Sequence, residues 1–263
     1  MTSTPTPAAK TPLGVGGIVS NSFSILFGNL IPVMIVAFVP SLIGLIFSVM
    51  TNGVGLTLGV DTGAPVSFAS PVLIGLGVVV QLALQGLIIA LLVQLAYDAK
   101  LGQPITPIAY LSPAIKAIVP ILVLSLVIGI LAGVGFMLLV IPGLYIYAVF
   151  CVTTPAIMIE RAGFGGMSRS AALTKEYRWP VIGVLILLGL CTIGLGIVAT
   201  FVVSAIVPII GLNTAGFGVG ILIYALINGL TYGLSGIGAA LIYARLRDIK
   251  EGVSVDKLAA VFE

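Results

Sequence analysis

Residues 117–159 read AIVPILVLSLVIGILAGVGFMLLVIPGLYIYAVFCVTTPAIMI, 43 consecutive positions without a charged side chain. At 1.5 Å per helical residue, a bilayer core about 30 Å thick takes roughly 20 residues, so this stretch is about twice what one crossing needs. Lipid offers no partner to backbone N–H and C=O groups, so a crossing segment is a helix or part of a closed barrel. The run is continuously apolar and does not alternate, which excludes a barrel strand. It reads as two helices, and Ile141-Pro142-Gly143 is the expected turn between them.

Four more pieces follow from the same criterion. Apolar runs cover about 30–50, 72–97, 118–140, 144–159, 180–207 and 216–244. The whole chain has 60% hydrophobic and 7% charged residues and a mean hydropathy of +1.30, where a soluble domain carries about a quarter charged residues. The expected fold is all-α, a polytopic membrane bundle of six transmembrane helices forming one domain over 13–247. Residues 1–12, MTSTPTPAAKTP, lack a basic stretch leading into a short apolar core and read as a disordered tail, not a signal peptide. Residues 248–263 read as a C-terminal tail.

Charge tests this division independently of hydropathy. Lys10 precedes the first span, Lys100 and Lys116 lie between the second and third, and Arg161, Arg169, Lys175 and Arg178 lie between the fourth and fifth. Arg245, Arg247, Lys250 and Lys257 follow the sixth, and the connections 51–71, 141–143 and 208–215 hold no basic residue. All eleven therefore fall on one side, as the positive-inside rule requires of an even number of spans with both termini in the cytoplasm.

A short interfacial segment is expected before each odd-numbered span on that side. Val19, Phe23, Leu26, Phe27 and Leu30 recur at helical spacing against Ser20, Asn21, Ser24 and Gly28. Ile108, Leu111, Ile115 and Ile118 lie opposite Ser112 and Lys116, with Pro113 placed to start a fresh helix. Residues 164–178 form the third segment. Pro32, Pro120 and Pro180 mark the starts of the spans that follow, so one unit recurs three times.

Polar residues inside spans are the candidates for function, because lipid penalises them unless they find partners. Gln81 and Gln85 share a face of the second span, and Tyr224, Asn228, Thr231 and Ser235 form one stripe on the sixth. Such groups join helices, at roughly 0.6–2 kcal/mol each, or line a seam that meets a headgroup or solute. Gly129 and Gly133, Gly196 with Thr200 and Ser204, and Gly229 with Gly233 are small-residue stripes that let helices approach, within one bundle or between copies.

The inventory is poor for catalysis. The chain has no histidine, and Cys151 and Cys191 sit singly in apolar runs. Asp98, Glu160, Glu176, Asp248, Glu251 and Asp256 fall in connections or at helix ends, so no metal set converges and no cofactor is expected. Gly14-Val15-Gly16-Gly17 carries no lysine and is no phosphate loop. A net charge of +3 gives no ground for nucleic acid. Membrane lipids are the expected partners, with another membrane protein or a second copy as alternatives. A non-enzymatic lipid- or partner-binding module is the leading reading; a transporter or channel for a small solute is the other.

Residues 141–180 carry a more specific signal: Pro142-Gly143, Pro155, Glu160, Arg169-Ser170, Leu173-Thr174 and Trp179 occur in that order. The stretch resembles the bacterial glycerophosphoryl diester phosphodiesterase membrane domain and the related YciC-like inner-membrane proteins. The resemblance implies a bacterial inner-membrane protein concerned with envelope or lipid homeostasis. The phosphodiesterase chemistry of the fused members it resembles belongs to a separate soluble domain, which these 263 residues do not contain. Where that family has a glycine after Leu-Thr-Lys, this chain has Glu176, so a different local turn is expected. The spacing further predicts an ion pair between Glu160 and Arg169, folded back over Gly163, Gly165 and Gly166.

Overall fold

The computed structural model describes residues 11–60, 70–211 and 213–252. They form α1 (Val15–Gly28), α2 (Leu30–Asn52), α3 (Val54–Leu58), α4 (Pro71–Lys100) and α5 (Pro107–Leu138). After these come α6 (Val140–Phe150), α7 (Thr153–Glu160), a 3₁₀ turn (Gly163–Gly165), α8 (Gly166–Thr174), α9 (Arg178–Ile210) and α10 (Thr214–Glu251). No strand occurs among the described residues, and six segments are long and apolar enough to cross a membrane: α2, α4, α5, α6 with α7, α9 and α10. The chain is an all-α polytopic bundle.

The helix α10 is its axis. It packs on α1, α2, α4 and α9, and its glycines sit where neighbours pass. A Cβ on Gly229 would meet Met34 at 3.1 Å, and one on Gly233 would meet Val33 at 2.8 Å and Leu26 at 2.9 Å. Gly229 and Gly233 are thus used inside the chain. Lipid and core are equally apolar, so close approach and not the hydrophobic effect holds such helices together. Gly129 and Gly133 face outward, with nothing within 4 Å of a built Cβ, and so does Gly196. Leu58 and Val60 cover the end of the bundle against Val203 and Val207.

Several helix limits differ from those read in the sequence. The third span and the interfacial segment before it are one continuous helix from Pro107, with Pro113 and Pro120 inside it, so Ser112 is no cap. The first and third units keep the expected form: α1 precedes α2 and α8 precedes α9, with Pro32 and Pro180 each at the third position of the long helix, where its missing N–H breaks no bond. The face of α1 that meets the bundle is Ile18, Ser22 and Leu26, while Phe27 is exposed and stacks on Phe23 at 6.2 Å.

The turn between α5 and α6 is Leu139 alone, in extended conformation (φ −162°, ψ 155°), and Pro142 and Gly143 already belong to α6. Proline fits the first helical turn as well as it fits a loop, which is why its position misplaced the turn. Gly143 serves the crossing with α5: a Cβ on Gly135 would lie 2.9 Å from the Gly143 Cα. The fourth span breaks at Cys151 and Val152. Pro155 follows four residues later and cannot donate to the Cys151 carbonyl.

At the other limit, α10 continues to Glu251, so 248–251 are helix and not tail. Thr11 and Pro12, read as the end of a loose segment, are bonded: the Tyr177 hydroxyl donates to the Thr11 carbonyl (3.1 Å) and Arg245 to the Pro12 carbonyl (3.2 Å). These bonds bring the N-terminal segment, the start of α9 and the end of α10 to one end of the bundle. The calls on 1–10 and 253–263, including Lys10, Lys257 and Asp256, lie outside the described residues.

Candidate functional site

The basic end is built around the break in the fourth span. Losing regular helix there leaves the Val149 carbonyl in need of donors, and α8 supplies two: Ser170 Oγ at 2.8 Å and Thr174 Oγ1 at 3.1 Å. Both hydroxyls are buried, and Leu173 beside them is 1% exposed. The Arg-Ser and Leu-Thr pairs of the sequence are therefore the docking face of α8. Trp179 is 68% exposed at the start of α9, as suits a ring at a membrane surface. Its neighbour Arg178 lies over the Tyr145 ring at 5.2 Å and donates to the Tyr145 hydroxyl.

Glu160, the last residue of α7, accepts from Arg169 Nε and Nη2, both at 2.7 Å, and from the Tyr243 hydroxyl at 2.6 Å. Arg169 also donates to Glu251, which Arg247 reaches at 3.0 Å. The expected pair is present, as part of a cluster that ties α7, α8 and α10. Hydrogen bonding to Glu160 raises the Arg169 pKa above its usual value against the opposing effect of burial, and Glu251 adds to it. Tyr243 and Glu251 were not anticipated; the i,i+4 spacing of Arg247 and Glu251 was the available signal. Glu176 has φ 74°, the left-handed region that favours glycine, so the turn is of the glycine type although a glutamate occupies it.

A cleft of about 260 Å³ opens beside this cluster, between α5 and α7. Ser112, Lys116 and Pro120 line one wall, Ile157 and Met158 the other, and Arg161 and Gly163 the rim. Neither Lys116 nor Arg161 pairs with a carboxylate among the described residues. Arg161 caps α7 at φ 54°, a conformation disfavoured for a side chain with a Cβ.

The intramembrane polar residues do not form one seam. Gln81, Gln85 and Asn228 line a cavity of about 30 Å³ with Ser41 and Tyr232, room for about one water molecule. Asn228, Thr231 and Ser235 donate to carbonyls of their own helix, those of Tyr224, Ile227 and Thr231. Tyr224 packs at the edge of the cluster around Leu58. Gln85 and Ser235 also line a second chamber, of about 210 Å³, together with Thr153 and Thr154, which were not singled out in the sequence. No group of three or more potential metal ligands occurs among the described residues.

No family model, no curated protein and no solved structure matches the chain.

Proposed function

We propose that the chain is a non-enzymatic module of a bacterial inner membrane, with both termini in the cytoplasm, that holds anionic phospholipid at its basic end. The cleft between α5 and α7 carries this reading. Two cations without carboxylate partners among the described residues line it, Ser112 adds a donor, and Ile157, Met158 and Pro120 offer an apolar wall. A phosphate headgroup with the start of an acyl chain has this division of charge and grease. The exposed Ile108, Leu111 and Ile115 lie on other faces of α5, where they suit lipid tails. The bacterial setting rests on the resemblance carried by Glu160, Arg169-Ser170, Leu173-Thr174 and Trp179. The absence of histidine and of mid-span carboxylates in the sequence supports a non-enzymatic role. Transport through the polar stripes draws less support, because the cavity that Gln81, Gln85 and Asn228 share is about 30 Å³ and Thr231 is not part of it.

Mass spectrometry of the protein released in native membrane patches tests the lipid reading. Anionic phospholipid is expected to remain bound, and Lys116→Ala with Arg161→Ala to reduce its retention by about thirtyfold, from roughly 1 kcal/mol per cation. Unchanged retention in the double variant overturns the assignment.

Sidedness has its own measurement. With Cys151 and Cys191 replaced by alanine, Asn52→Cys is expected to react with an impermeant thiol reagent in intact cells, and Lys175→Cys only after lysis. The reverse pattern overturns the placement of the termini.

A further inference from the structure

We propose that the chamber between α4, α5, α6, α7 and α10 is a binding site for an uncharged, hydroxyl-bearing ligand, independent of the lipid cleft. Its volume is about 210 Å³, several times that of a water molecule. Six hydrogen-bonding side chains converge on it: Gln85, Ser125, Tyr147, Thr153, Thr154 and Ser235. Thr153 decides that this is more than loose packing. It is 3% exposed, and its Oγ1 is buried with no hydrogen-bond partner. A buried hydroxyl is rarely left in that state. Gln85, Ser125, Tyr147 and Thr154 make no side-chain hydrogen bond to the rest of the described chain, and Ser235, which donates to Thr231, retains its acceptor lone pairs.

The chemistry of the lining selects the ligand. No Asp, Glu, Lys or Arg borders the chamber, and Gln85 lies at the middle of the thirty-residue α4. An ion there would lack a counter-charge inside the bilayer, so the ligand is neutral. Hydroxyls and an amide both give and accept hydrogen bonds, and the ligand groups that match both roles at once are hydroxyls. Phe150 and neighbouring aliphatic side chains supply a face for the carbon skeleton. The chamber reaches the outside of the bundle beside Gly129, which is exposed and has nothing within 4 Å of a built Cβ. That window faces lipid, the route for an alcohol dissolved in the membrane; a water-soluble polyol presents the same hydroxyls from the other source.

The test uses the full chain in lipid nanodiscs and a photoactivatable octanol carrying a diazirine. Peptide mapping after illumination is expected to concentrate adducts on Tyr147, Phe150 and Cys151, and excess octanol, but not octane, to suppress them. Thr153→Val and, as a second variant that removes less packing, Ser125→Ala are each expected to reduce chamber adducts by about fivefold, the weight of one hydrogen bond. Competition by erythritol assigns the ligand to the aqueous side; its failure, with octanol still effective, assigns it to the membrane. Adducts spread evenly over the lipid-facing helices, equal suppression by octane, or unchanged labelling in both variants overturns the proposal.

Discussion

Arg169→Gln is expected to cost about 2–3 kcal/mol of stability in detergent, whereas Lys175→Gln costs close to nothing. The Glu160 carboxylate takes three of its hydrogen bonds from Arg169 Nε, Arg169 Nη2 and Tyr243. Removing the guanidinium leaves a carboxylate that is only 20% exposed with the tyrosine as its remaining partner, and Glu251 loses a partner as well. Breaking a fully buried pair costs about 3–5 kcal/mol, and the 30% exposure of Arg169 screens part of that here. Lys175 makes no ion pair among the described residues, so it reports what general attraction to anionic lipid contributes. The Glu160→Gln, Arg169→Gln double variant is expected to lose less than the sum of the single losses, by about 1–2 kcal/mol. If Arg169→Gln loses no more than Lys175→Gln and the double variant is additive, the cluster does not pin α8 to the bundle.

The same cluster shows how far sequence reading reaches. Glu160 and Arg169 are nine residues apart across a glycine-rich turn, so chain geometry alone brings them near. Tyr243 lies 83 residues from Glu160, and nothing local fixes which face of α10 it occupies. The number of spans was legible because hydropathy and the distribution of basic residues constrain it separately, and neither depends on helix ends. The ends were not legible. At a membrane surface polar residues are as helical as apolar ones, so α10 runs on to Glu251 and α5 begins at Pro107 with no break in hydropathy to announce either. The chamber was half legible: Gln85 and Ser235 stand out as polar residues in spans, but whether a threonine hydroxyl such as that of Thr153 is satisfied depends on the local break in the fourth span.

Gly135→Leu is expected to cost about 3 kcal/mol or more, and Gly133→Leu less than about 0.5 kcal/mol. Two residues along a helix turn the side chain by about 200°, so these glycines face opposite ways. A Cβ on Gly135 would stand 2.9 Å from the Gly143 Cα and 3.0 Å from its N, both backbone atoms that no rotamer change can move. A leucine there forces α5 and α6 apart, and with them the short Leu139 turn and the Val149 carbonyl on which α8 docks. Gly133 meets nothing within 4 Å, so a leucine there only adds apolar surface where lipid is the neighbour. The sequence pairs Gly129 with Gly133 by their spacing, and that spacing is real; what it cannot say is which neighbour the stripe faces. Denaturation of both variants in detergent and in nanodiscs separates the cases. Equal stability of the two would mean that α5 and α6 do not cross at Gly135. A loss in Gly133→Leu that accompanies a change in particle mass would mean that a second copy of the chain covers the open stripe.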